Sequence, residues 1–149
     1  MNAYNTLKDW GMQALIGTTT STPCTAVVEE THSDNMFQLT PSATAVDSIQ
    51  YDNAFRMCFS DPNQGSASAD YIAENKLATK VAIIYNSSDT YSSGIYQTFA
   101  TEANAKGLDV VAAEAFTADN KTDFSVQIQK AKDAGAELVF LPIYYQELL

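Results

Sequence analysis

Basic residues are scarce in this chain: eight Lys and Arg stand against eighteen Asp and Glu, for a formal net charge of -10. That balance repels phosphate backbones and anionic lipid, and no basic cluster offsets it, so no nucleic-acid partner is expected. Cysteine and histidine are nearly absent. Cys24 and Cys58 have neither CxxC spacing nor a neighbouring histidine, which leaves no zinc or redox motif. A disulfide between them is one reading; two buried free thiols, one in a helix and one in a strand, is the preferred one. The single histidine, His32, lies among Glu29, Glu30 and Asp34 at a polar helix end and reads as solvated, so no Ser-His-Asp triad can be built on it. Glycine-rich phosphate and dinucleotide loops are missing. No run approaches the roughly twenty apolar residues that span a bilayer. The segment Met1-Asn2-Ala3-Tyr4-Asn5 has neither a basic nor an apolar signal region, so the chain is expected to be soluble and to carry no signal sequence.

What is present is a core. With 149 residues and 46% hydrophobic content, the chain has enough apolar material for a folded domain. Apolar runs and helical patterns alternate along it. A helix is expected over 2–10, a strand over 13–17, and a helix from Thr22-Pro23, as cap and first residue, to about Thr31. Strands follow over 36–40 and 54–60, separated by a polar loop. Asp61-Pro62-Asn63-Gln64 then supplies a cap, a helical first residue and a closing capping-box side chain for a helix ending near Leu77. Lys80 to Tyr85 is apolar and β-branched, as a strand buried on both faces requires. Helices over 92–106 and 123–134 stop before Gly107 and Gly135, with Phe124, Ile128 and Ala131 inward in the second, and strands cover 109–116 and 137–142. Residues 144–149 read as the first turn of another helix. Six strands separated by helices predict an α/β fold with one or two doubly wound parallel sheets, and a boundary is suggested near Ser60-Asp61.

Two hydroxyl-rich loops stand out, Gly17 to Thr22 and Thr40 to Thr44, each after a short apolar strand. Ligands of open parallel sheets sit beyond the carboxyl ends of the strands, at helix N-termini rich in free N–H groups. The loops carry many oxygens and no Lys, Arg, His or Cys, so they suit holding a small zwitterion and offer no evident chemistry. A ligand carboxylate would accept from backbone N–H groups and from Ser21 and Thr44, and the Ser42 carbonyl would accept from an ammonium. Asp89-Thr90-Tyr91 and Tyr144 follow two later strands and add aromatic cover. Serine and threonine after strands also serve simply as turn formers and caps. The carboxylates of Asp109, Glu114, Asp119, Asp123 and Asp133 read as solvated, and the sequons at Asn86 and Asn120 are given no role.

The ordered set GTTTST (17–22), TPSAT (40–44), FRMCFSDPNQGSASADYI (55–72), KVAIIYNSSDTYSSG (80–94), TDFS (122–125) and YYQE (144–147) resembles the branched-chain amino-acid binding proteins of ABC transporters. The similarity runs through nearly the whole chain. It implies a partial two-lobe type I periplasmic-binding fold, with 1–60 the C-terminal part of lobe 1, a crossing near Ser60-Asp61, and 61–149 the N-terminal part of lobe 2. Ser21 then matches the serine that binds the ligand carboxylate. Ser42, Ala43 and Thr44 match the loop that binds carboxylate and ammonium, while Tyr91 and Tyr144 match tyrosines that face the ligand. The family's disulfide does not map onto Cys24 and Cys58, and Pro142-Ile143 replaces small residues before Tyr144.

The resemblance implies capture of an amino acid, delivery to a membrane permease, an extracytoplasmic location, no cofactor and no catalytic step. A ligand-sensing input domain of a receptor or regulator would share the fold and is the alternative. An enzyme on a flavodoxin-like sheet lacks a nucleophile with its base. As a section of a longer fold, the chain is also expected to expose sheet edges and to self-associate through them.

Overall fold

The computed structural model describes residues 2–120 and 122–147; Met1, Lys121 of the second sequon, and Leu148-Leu149 at the end of the terminal turn lie outside the described residues. The chain divides into two units, Met1–Ser60 and Asp61–Leu149.

The first unit runs α1 (Asn2–Asp9), β1 (Ala14–Ile16), α2 (Ser21–Ser33), β2 (Phe37–Thr40) and β3 (Ala54–Arg56), with a 3-10 turn at Val46–Ile49 inside the segment expected to be a plain loop. The strands are parallel in the order β1-β2-β3. One sheet face is covered by α2, whose Ser21, Cys24, Val27, Val28 and Thr31 are buried. Several buried side chains of this core are polar, and many of them hydrogen-bond to one another. Thr31 Oγ1 donates to Gln38 Oε1 at 2.6 Å, Gln38 Nε2 donates to Cys24 Sγ at 3.2 Å, and Asn53 Nδ2 donates to the Met36 carbonyl at 2.8 Å. Such partners are what make buried amides and hydroxyls tolerable. On the other face Phe37 and Phe55 stack at 5.5 Å yet remain 44% and 50% exposed, with Ile16 exposed as well.

The second unit runs α3 (Asp61–Glu74), β4 (Lys80–Asn86), α4 (Thr90–Ala105), β5 (Asp109–Phe116), α5 (Ser125–Asp133) and β6 (Leu138–Phe140), with parallel order β5-β4-β6. The central strand β4 buries Val81, Ala82, Ile83 and Ile84 in succession, the pattern of a strand covered on both faces. Val81 and Ile83 pack with Ala69, Ile72, Phe99 and Ala103 of α3 and α4, while Ile84 lies with Phe124 and Ile128 near α5. Burying Phe99 completely contributes about 1.5–3 kcal/mol relative to leaving it in water. Helices α3 and α4 touch where they lack side chains. A Cβ on Gly65 would lie 2.8 Å from the Ile95 carbonyl oxygen and from the Phe99 nitrogen, and one on Gly94 would lie 2.8 Å from Asp61 Oδ2.

All four long helices end alike. Asn35, Lys76, Gly107 and Gly135 adopt positive φ (51°, 53°, 76° and 76°), and the next residue's N–H returns to a carbonyl five positions earlier, as in Met36 to Thr31 and Leu77 to Ile72. The sequence announces the two glycines; Asn35 and Lys76 carry no comparable signal.

Several expected boundaries move, each for a tertiary reason. Helix α2 begins at Ser21 with Thr20 in the cap position, not at Thr22-Pro23, because Ser21 is drawn into bonds with the 44–45 loop. Pro23 is tolerated there because first-turn N–H groups have no helical acceptor in any case. Asp61 lies inside α3 instead of capping it, buried against Gly94 of α4. Strand β3 stops at Arg56, so Cys58 is in a bend and half-buried; both cysteines are free. Helix α5 starts at Ser125, with Asp123 Oδ1 accepting from its N–H and hydroxyl at 2.9 and 2.6 Å. Ala131 is buried, but Ile128, expected to point inward, is 45% exposed beside an open concavity. His32 is not merely solvated, since it stacks on Tyr51 at 4.1 Å with an interplanar angle of 8°.

Candidate functional site

The two hydroxyl loops of the first unit meet. Strands β1 and β2 are adjacent and parallel, so their carboxyl ends release both loops on the same sheet edge. Thr40, the last residue of β2, bridges them: its Oγ1 donates to the Thr18 carbonyl at 2.6 Å and accepts from the Ala43 N–H at 3.1 Å. Ser21 Oγ accepts from the Thr44 and Ala45 N–H groups at 3.2 and 3.1 Å, which leaves its own proton as its remaining capacity. Arg56, from β3, closes the other side of the loop by donating from Nη1 to the Thr44 and Ala45 carbonyls at 2.9 and 3.1 Å.

These bonds change what the loop offers. The sequence points to backbone N–H groups of the two loops as donors to a carboxylate; those of residues 43–45 are taken by Thr40 and Ser21. Ser42 is exposed at the loop tip, and Ala43 is buried. Thr44 is 6% exposed, and its Oγ1 makes no hydrogen bond among the described residues. A buried hydroxyl without a partner costs about 1–3 kcal/mol, so its presence calls for an explanation.

In the second unit, β4 and β6 are also parallel neighbours, and the residues that follow them come together. Tyr91, in the first turn of α4, stacks on Tyr144 with ring centroids 5.1 Å apart and an interplanar angle of 28°. Asp89 caps α4 by accepting from the Ser92 N–H at 3.0 Å, and Gln64 Nε2 of α3 donates to the Tyr91 hydroxyl at 3.3 Å. Glu147 Oε2 accepts from the Tyr144 N–H at 2.8 Å. Burial first, then the nearby Asp89, Tyr91, Asp61 and Glu147, push the Tyr144 phenol from 10.0 up to about 12. Tyr144 therefore presents a neutral phenol in an acidic setting.

Thr40, Arg56, Gln64 and Glu147 were not singled out as site residues from the sequence. Arg56 and Gln64 lie inside the FRMCFSDPNQGSASADYI stretch that carries the family resemblance, and Gln64 otherwise reads only as a capping-box side chain. Elsewhere in the second unit an apolar concavity of about 320 Å³ is lined by Ile84, Phe124, Ile128, Val139, Leu141 and Ile143 with Glu147. Among the described residues no cluster of three or more His, Cys, Asp or Glu side chains is placed to hold a metal ion, and no helix is long and apolar enough to cross a membrane.

Residues 1–146 match the family described as periplasmic binding protein. The chain belongs to that family. Its similarity to other periplasmic binding proteins is spread along its length: it is 30% identical over 149 residues to the Leu/Ile/Val-binding protein homolog 3 of Brucella melitensis, covering 99% of this chain and 40% of the relative. It is 28% identical over 143 residues to the leucine-, isoleucine-, valine-, threonine- and alanine-binding protein of Pseudomonas aeruginosa, covering 93% of this chain and 37% of that protein. The structure superposes on the leucine binding protein LivK of Thermotoga maritima with a TM-score of 0.92 at 26% identity, over 99% of this chain and 42% of that one. For the branched-chain amino acid transporter substrate binding protein LivJ of Streptococcus pneumoniae, in complex with isoleucine, the values are 0.85 and 27%, over 96% and 40%. The type I periplasmic-binding architecture implied by the sequence resemblance is thus the observed one. The chain spans about two fifths of the length of the curated relatives it matches.

Proposed function

We propose that the chain is part of an extracytoplasmic solute-binding protein that captures an amino acid, branched-chain or similar, for import through a membrane ABC permease. The observation that carries this reading is Thr44 Oγ1: buried, without a partner among the described residues, and set in a loop whose N–H groups at 43–45 are already bonded. A ligand carboxylate would accept from it and from the Ser21 hydroxyl, with Ser42 and Ala43 as loop contacts. Tyr91 and Tyr144 would supply aromatic contact to the ligand. Relatives named for leucine, isoleucine and valine binding, one of them holding isoleucine, support the choice of ligand. Residues 1–60 and 61–149 are proposed to be parts of the first and second lobes. No catalytic step is proposed, and no cofactor.

Isothermal titration of the chain, within its full-length protein if it forms part of one, against leucine, isoleucine, valine and small amides tests the reading. Saturable heat with at least one amino acid is expected; silence across the panel would sink it.

We also propose that the chain alone self-associates. The exposed Ile16, Phe37 and Phe55 and the open strands at the sheet edges favour contact with another copy. Light scattering at rising concentration should show a dimer or larger species, and a constant monomer mass would refute this.

A further inference from the structure

The first unit contains two cationic side chains, Lys8 and Arg56. Lys8 is paired with Asp34. Arg56 forms no ion pair with a carboxylate among the described residues, and its Nη1 donates to the backbone of one loop, at the Thr44 and Ala45 carbonyls. An arginine is costly to tie down, because a long flexible side chain loses rotamer freedom. Its charge-assisted bonds to two neutral acceptors must therefore hold something whose position matters.

We propose that Arg56 is a positioning residue for ligand capture, setting the Thr44 hydroxyl by clamping the carbonyls of the two peptide groups that follow it, 44–45 and 45–46. The inference rests on the amino-acid-binding reading given above. Its geometry comes from three elements. Arg56 is the register partner of Thr40 in the parallel pair β2 and β3, so both project from the same sheet face. Thr40 holds the Ala43 N–H, Ser21 on α2 holds the Thr44 and Ala45 N–H groups, and Arg56 holds the carbonyls of those two residues. The peptide joining Thr44 to Ala45 is thus held at both its N–H and its carbonyl, with the Thr44 N–H before it and the Ala45 carbonyl after it held as well. A binding group held by neighbours on strands and helices needs little reordering when the ligand arrives. Because no carboxylate neutralises it, the guanidinium also leaves a positive field behind the loop, which favours the anionic end of a zwitterion.

The test compares Arg56→Met, which keeps the apolar stem and removes every donor, with Arg56→Lys, whose ammonium can donate to both carbonyls. Amide hydrogen exchange at Thr44 and Ala45, thermal midpoint, and affinity for leucine are measured for each. For Arg56→Met, exchange at those two amides should quicken and leucine affinity should fall, each about tenfold or more, with exchange in β4 and α4 unchanged. Arg56→Lys should recover part of both losses. Unaltered exchange and affinity in Arg56→Met would overturn the proposal. So would equal losses in both variants accompanied by faster exchange throughout the first unit, which is the signature of a merely structural residue. If the unmodified protein binds no amino acid while Arg56→Met still loosens Thr44 and Ala45, the ligand reading has failed and the assignment to capture falls with it; the exchange data then show that the clamp itself was correctly identified.

Discussion

Tyr91 and Tyr144 stack at 5.1 Å although they follow different strands, because β4 and β6 are parallel neighbours and release their chains on the same side of the sheet. The contact buries Tyr144 near Asp89 and Asp61, and the phenol is raised to about 12.

An alkaline prediction follows from that shift. The unfolded phenol ionises near 10.0 and the folded one near 12, so its contribution to stability is complete below the first value and is lost as pH rises through the second. Stability should decline between these limits, and Tyr144→Phe should make the decline shallower. Denaturant midpoints measured across that range decide the point; an unchanged slope in the variant would remove Tyr144 as its cause.

Thr44→Val separates binding from folding. Removing a buried hydroxyl that has no protein partner should stabilise the ligand-free chain by about 1 kcal/mol. It should also weaken amino-acid binding by about 1–3 kcal/mol if the hydroxyl bonds a charged group. Urea unfolding and calorimetric titration of the same preparation read the two effects, and a variant that loses stability would show that Thr44 is structurally bonded.

Gly65→Ala should disturb the second unit. The added methyl group would meet backbone atoms of α4 at 2.8 Å, which cannot swing aside as a side chain would. A cost of about 1–3 kcal/mol is expected, seen as a lower thermal midpoint. Retained stability would mean that α3 and α4 can separate without loss.

Lys76→Gly should act in the opposite direction. Lys76 holds φ at 53° to end α3, a conformation that costs an L-residue about 1–2 kcal/mol and glycine almost nothing. Since glycine also loses more chain entropy on folding, a net gain of about 0.5–1 kcal/mol is expected in urea unfolding. A loss would indicate that the Lys76 side chain makes a compensating contact.

Much of the architecture can be read from local pattern. The all-apolar stretch at Lys80 to Tyr85 marks a central parallel strand, and Gly107 and Gly135 mark helix ends, because both signals depend on neighbours within one element. Ser21 and Thr44 stand out for their oxygens at strand ends, and Tyr91 and Tyr144 for their place after β4 and β6. Ile128 misled by periodicity: its stripe faces a concavity that nothing covers among the described residues. The caps at Thr22 and Asp61 misled because good capping chemistry lost to long-range contacts, with the Ser21 loop bonds in one case and the Gly94 approach in the other.

Spacing and composition therefore suffice for the order of the elements, the parallel class and the hydroxyl- and tyrosine-bearing positions at the strand ends, since each is encoded within a few residues. Which of those positions retains an unbonded hydroxyl is a different matter. Ser21, Thr40 and Arg56 come from α2, β2 and β3, and their bonds to residues 43–45 exist only once the sheet has brought those elements side by side. Folding thereby turns a loop full of apparent donors into one whose N–H groups at 43–45 are already engaged, with the Thr44 hydroxyl left over.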